Sequence, residues 1–137
     1  MKNLKETLIA LPGFVNNEYL DKYVQIIERN KFSKYKSGVV NRHHIIPKVW
    51  YKLYNHEVDN NPSNLVTLSY REHALAHYYL CLCTSDSLQY ANQMALICLM
   101  SRKKMGTINM QLIKNLPLYD NIYESYIKNR KSNRKLY

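Results

Sequence analysis

Apolar residues along the chain fall into helical spacing near both ends and into short β-type runs only in the middle. Asn3 to Leu11 reads as a short helix stopped by Pro12-Gly13. Leu20, Tyr23, Val24 and Ile27 then recur at i, i+3, i+4 and i+7 behind Asn17, a good N-cap, so Glu18 to about Asn30 is predicted as an amphipathic helix with one side on the core. Two β-type runs follow. Val39-Val40 lead into a strand that ends at His43-His44, before Ile45-Ile46-Pro47. Leu65, Val66 and Leu68 give a second strand after the turn-forming Asn60-Asn61-Pro62-Ser63. The connection from Lys48 to Asn61 contains Val49, Trp50, Tyr51, Leu53 and Tyr54, and is read as a packed, helical insert.

Helical spacing then returns. Ser69 and Glu72 make an S-x-x-E capping box, which starts a helix near Tyr70 that runs to about Cys83, where Thr84-Ser85-Asp86 breaks it and caps the next. Ser87 to Met100 is apolar on much of its surface, through Tyr90, Ala91, Met94, Ala95, Leu96, Cys98 and Leu99, and is expected to be buried in this domain or against a second copy of the chain. Met110 and Ile113 suggest a short helix, and Pro117 opens a last one with Tyr119, Ile122, Tyr123, Tyr126 and Ile127 in an apolar stripe read as core. Beyond it, Lys128, Arg130, Lys131, Arg134 and Lys135 are read as a polar tail, loose or ordered on a partner. The expected fold class is α+β, mostly helical. One domain is expected for 137 residues: a helical extension over 1–37, a core over 38–83, and helices with a basic tail over 84–137.

Charge narrows the class of partner. The formal net charge is +10. Residues 29–52 and residues 102–137 each net +7, while residues 53–101 between them net −3. Clustered Lys and Arg suit a polyanion, because they release condensed counterions from phosphates. Lys34, Lys36, Arg42, Lys48, Arg71, Lys128, Arg130 and Lys131 are the candidate DNA-binding residues. Phe32 and Tyr35 interleave with lysines and are expected to tuck into the core. Cys81, Cys83 and Cys98 are an odd number at no zinc-ribbon spacing and read as reduced thiols in a helical core, which fits a cytoplasmic protein. The longest apolar run, Met94 to Met100, is far short of a membrane span, and no targeting segment is expected.

All five histidines lie between Arg42 and Leu80, four of them in two pairs. On the helix that starts at Tyr70, His73 and His77 stand at i and i+4, roughly 5–6 Å apart on one face, and can reach one ion. His43 and His44 are adjacent in a strand, so their side chains point to opposite faces and only one of them joins the ion. The other is free for general-base work near neutrality. His56 has no partner at metal spacing and is expected at the surface.

H-H-I-I-P, a loop, N-L-V-x-L and H-x-x-x-H within one helix together resemble the HNH endonuclease family, especially its small phage or mobile-element members, over about 40 residues of the chain. The resemblance implies a ββα-metal core. It makes His43, His73 and His77 the ligands of one divalent metal ion, His44 the general base and Asn64 the catalytic-loop residue that braces the base, with Asp59 structural. The implied activity is metal-dependent hydrolysis of a DNA phosphodiester, double-stranded DNA being the expected substrate, with Arg42 or Arg71 adding positive charge near the scissile phosphate. Three imidazoles favour Zn²⁺, Ni²⁺, Co²⁺ or Mn²⁺, while availability can make Mg²⁺ the working ion. The chain lacks the Gly-Gly loop and the paired C-x-x-C motifs of many relatives. A non-catalytic, metal-stabilised nucleic-acid-binding module and a toxin-type non-specific nuclease remain as alternatives, and a homodimer is expected to meet through the Ser87–Met100 helix.

Overall fold

The computed structural model describes residues 3–32, 40–101 and 111–134. Helix α1 (Leu4–Ile9) is capped by the Asn3 side chain, which accepts from Glu6 N, and helix α2 (Glu18–Asn30) by Asn17, whose side chain accepts from Tyr19 N and Leu20 N. Strand β1 (Val40–His44) leads into helix α3 (Lys48–Leu53). A 3₁₀ turn (Pro62–Asn64) precedes strand β2 (Leu65–Ser69), which passes directly into helix α4 (Tyr70–Leu82), and helix α5 (Asp86–Met100) follows. Residues 111–114 are helical, and the last helix is α6 (Tyr119–Arg134). The fold is α+β and mostly helical, with a single two-stranded antiparallel sheet among the described residues that pairs His43 with Val66 and His44 with Leu65.

Helix α4 is the centre of the packing. His73, Ala74, Ala76, Tyr78, Leu80 and Cys81 are buried around most of its circumference, so it has no solvent face of the usual amphipathic kind. On one side it meets Leu8, Leu20, Tyr23, Ile26 and Ile27 of α1 and α2, together with Val66 and Leu68 of β2. On the other it meets Leu96, Leu99 and Met100 of α5, and Ile113, Tyr119 and Ile122. A third cluster joins Trp50 and Tyr51 of α3 to Leu88 of α5. Gly13, at φ +92°, lets the chain turn where a side chain would strike Leu88, and Phe14 then bridges to Thr84.

The Ser69 hydroxyl accepts from Glu72 N at 3.2 Å, so the local cap forms. The Glu72 carboxylate also works across the fold: it accepts from Arg29 Nη2 at 2.8 Å and Asn30 Nδ2 at 2.9 Å, fastening the start of α4 to the end of α2.

Three sequence-based expectations change. Phe32 is 87% exposed rather than tucked into the core. Tyr123 is 45% exposed, while the same stripe of α6 is buried at Tyr119 and Ile122 and stacks Tyr126 on Tyr90 of α5. The basic tail is a helix as far as Arg134, so Lys128, Arg130 and Lys131 project from a regular element. Of the two ways expected to bury α5, the one within this domain is seen: it packs against α3, α4 and α6 of the same chain, with Met94 43% exposed. Tyr35, Lys34, Lys36, Met110 and Lys135 lie outside the described residues. No helix among the described residues is long and apolar enough to cross a membrane.

Leu80 is wholly buried in the cluster that joins α4 to α1, α2 and β2. Leu80→Ala is expected to lower the unfolding free energy by about 2–5 kcal/mol, read as an earlier urea transition by circular dichroism.

Candidate metal centre

Strand β1 carries His43 and His44 to opposite sides at its end. His43 is 3% exposed and turns towards α4, whereas His44 is only half-buried. What fixes this exit is the backbone just beyond. Ile45 N donates to Asn64 O at 2.8 Å, Ile46 N donates to Asn64 Oδ1 at 2.9 Å, and Asn64 Nδ2 donates to Asp59 O at 2.9 Å. Asn64, 5% exposed, therefore ties the chain after His44 to the loop before β2. It braces the segment and is not among the residues lining the cavity described below. Asp59 is a turn residue whose Oδ1 accepts from Asn61 N at 2.9 Å.

His43, His73 and His77 converge. Their ring centroids lie 4.7–5.3 Å apart with interplanar angles of 63–90°, so they meet edge to face about one point. One ring nitrogen from each lies within 4.8 Å of the others, and the Nε2 atoms of His73 and His77 are 3.1 Å apart. Ligand atoms on a tetrahedral ion with bonds of ~2.0–2.1 Å stand roughly 3.3 Å apart, so this donor set suits a borderline metal ion with only small adjustment. Burial holds His43 well below the usual histidine range, reinforced by its neighbours His77, His73 and His44, and so it stays neutral with a lone pair to offer.

The cluster opens into a cavity of about 340 Å³. Arg42, His44, Lys48 and Lys52 line it together with the three clustered histidines, and α5 contributes Asn92, Ala95, Cys98 and Leu99. Lys48 and Lys52 are one turn apart on α3, hence on the same face. His44 Nε2 lies 2.8 Å from Asn60 Oδ1, which can only accept, so that nitrogen holds the proton and Nδ1 keeps its lone pair.

Of the sequence-derived candidates, Arg42 and Lys48 reach this cavity. Arg71 is exposed on α4 and does not line it. Lys128 and Lys131 border a separate surface groove with Tyr123, Glu124 and Ile127, and Arg130 is exposed on the same helix. Lys52, Asn60 and the α5 wall were not singled out from the sequence. A lysine four residues after Lys48 on a helical insert was the available signal for the first; Asn60 had none beyond its turn. His56 is exposed, stacked on Trp50 with its ring 5.4 Å away. Cys81 and Cys83 are buried free thiols, the latter pushed up to about 12 by burial, whereas Cys98 is exposed at the cavity rather than in the core.

No family model, curated protein or solved structure gives a match to this chain.

The depressed His43 fixes the sign of a pH effect. Below about 6.5 the unfolded chain takes up a proton there that the folded chain refuses, so the metal-free protein is expected to lose stability as pH falls through that value, and this contribution is level above it. Urea titrations of wild type and His43→Gln between pH 5 and 8 check this; the variant is expected to show the shallower acid slope.

Proposed function

We propose that the protein is a divalent-metal-dependent DNA endonuclease of the HNH kind, with β1, β2 and α4 as its ββα-metal core. The observation that carries this is the division of labour among four histidines at one cavity: three converge on a single point, while His44, next in sequence to one of them, stands apart with a lone pair at Nδ1. A closed structural zinc site uses four protein ligands, whereas three ligands leave a coordination position for substrate.

His43, His73 and His77 would hold the ion, with Zn²⁺, Ni²⁺, Co²⁺ or Mn²⁺ suited to imidazole and Mg²⁺ favoured by availability. When bound, the cation supplies positive charge to a phosphate oxygen and to the departing O3′. His44 accepts the proton of the attacking water at Nδ1, and Asn60 Oδ1, by holding Nε2–H, aims the ring. Arg42, Lys48 and Lys52 line the same cavity and bind the phosphates on either side of the scissile bond. The breadth of the positive charge, +10 over the chain, favours a long polyanion over a small phosphate ester.

Conversion of supercoiled plasmid to nicked circles in Mg²⁺, Mn²⁺, Ni²⁺ or Zn²⁺, abolished by chelator, is the expected activity. His44→Ala is expected to lose about 10²–10⁴-fold in rate while still binding metal. Wild type that binds both metal and DNA yet cuts under no condition would overturn the catalytic assignment in favour of a binding module. In a separate binding assay, Lys52→Ala is expected to reduce the salt dependence of DNA affinity by about one unit in the log–log slope, with little change in metal affinity.

A further inference from the structure

Tyr23 belongs to α2, outside the strand–strand–helix unit that carries the histidines, yet it touches the cluster directly. Its side chain is fully buried, and its hydroxyl makes two short contacts: 2.6 Å to Ile45 O and 2.7 Å to His43 Nε2. A phenol has one hydrogen. A carbonyl oxygen can only accept, so the hydrogen of Tyr23 goes to Ile45, and the contact with His43 is a hydrogen bond only when Nε2–H donates to the tyrosine oxygen. Burial pushes the Tyr23 hydroxyl well above its ordinary range, which keeps that hydrogen in place at all physiological pH values. The acceptor is itself fixed, since Ile45 N is bonded to Asn64 O.

A neutral imidazole carries a single N–H, so protonation at Nε2 leaves the lone pair at Nδ1. We propose that Tyr23 is a positioning residue of the metal centre: it holds His43 as the Nε2–H tautomer, so that His43 offers Nδ1 to the cation while His73 and His77 offer Nε2. This rests on the metal-binding reading above and adds to it a residue from a different element and a defined ligand atom. The tyrosine plays the part that a carboxylate or carbonyl commonly plays beside a metal-binding histidine, fixing the tautomer and the ring plane before the ion arrives. The same hydroxyl also holds the end of β1 through Ile45 O, so ring orientation and backbone position are set by one group.

The tautomer can be read without any metal. In the ¹⁵N-labelled full chain at pH 7.5 with chelator present, long-range ¹H–¹⁵N spectra are expected to show His43 protonated at Nε2 and bare at Nδ1. A wild-type spectrum with the proton on Nδ1 would overturn the proposal, whatever any variant does. Tyr23→Phe keeps the ring and removes only the hydroxyl; it is expected to mix the His43 tautomers and to weaken Zn²⁺ binding roughly 10–100-fold, with the helical circular dichroism retained. Zinc affinity within twofold of wild type, in a folded variant whose His43 tautomer is unchanged, would also overturn it. Zinc titration of wild type separates the two ideas: an Nε2–H His43 whose Nδ1 resonance ignores Zn²⁺ would refute the metal reading, and with it the role towards the ion, while the tautomer assignment stood.

Discussion

Hydrogen bonds to the backbone of Ile45 and Ile46 hold the end of β1, and the directions of His43 and His44 depend on them. Asn64 takes both N–H groups, one through its carbonyl and one through its side chain, and Tyr23 takes the Ile45 carbonyl. Buried backbone groups that lose such partners cost about 1–3 kcal/mol each, so the segment has little freedom to rotate. Side chains on neighbouring strand residues diverge, and a fixed strand end therefore delivers one imidazole to α4 and the other to the cavity edge. The two different chemical tasks proposed for adjacent histidines come from this single constraint.

Helix α4 supplies the other half of the centre, and its burial on nearly all sides explains why its histidines are well placed. Ala74 and Ala76 have no exposed surface, and such small side chains let neighbouring elements approach the helix closely. The Arg29–Glu72–Asn30 contacts pin its first turn to α2, the same helix that supplies Tyr23. Helix α2 is thus tied both to the helix bearing two of the clustered histidines and to the strand bearing the third. A displacement of α2 would be felt at all three.

The electrostatic design separates two scales. Arg42, Lys48 and Lys52 place charge at the cavity, where the proposed phosphate would bind. The cationic residues of α6 lie on a regular helix outside it and contribute to the wider positive field of the chain, which raises encounter rates with a polyanion at low salt.

Much of the secondary structure was legible because its determinants are local. Asn17 and Ser69 satisfy backbone N–H groups two or three residues away, and such caps are readable from short stretches of chain. The helical register that put His73 and His77 on one face came with the second of those caps, and strand alternation separated His43 from His44. Phe32, Tyr123 and the tail were read less well, because whether an aromatic is covered depends on which element packs there, and a helix extends past its apolar stripe when its backbone bonds continue. Tyr23 looked like one more apolar position in a heptad-like pattern; its hydroxyl has a purpose only because α2 lies across the end of β1, twenty residues on. Lys52 and Asn60 gained theirs in the same way, from the path of the 48–61 connection around the cavity. By itself the sequence determined the helices, the strands and the histidine spacing, all set by neighbours in the chain. Tertiary structure alone decided which groups surround those histidines, because hydrogen bonds and packing between distant segments follow from distances in space that no local spacing encodes.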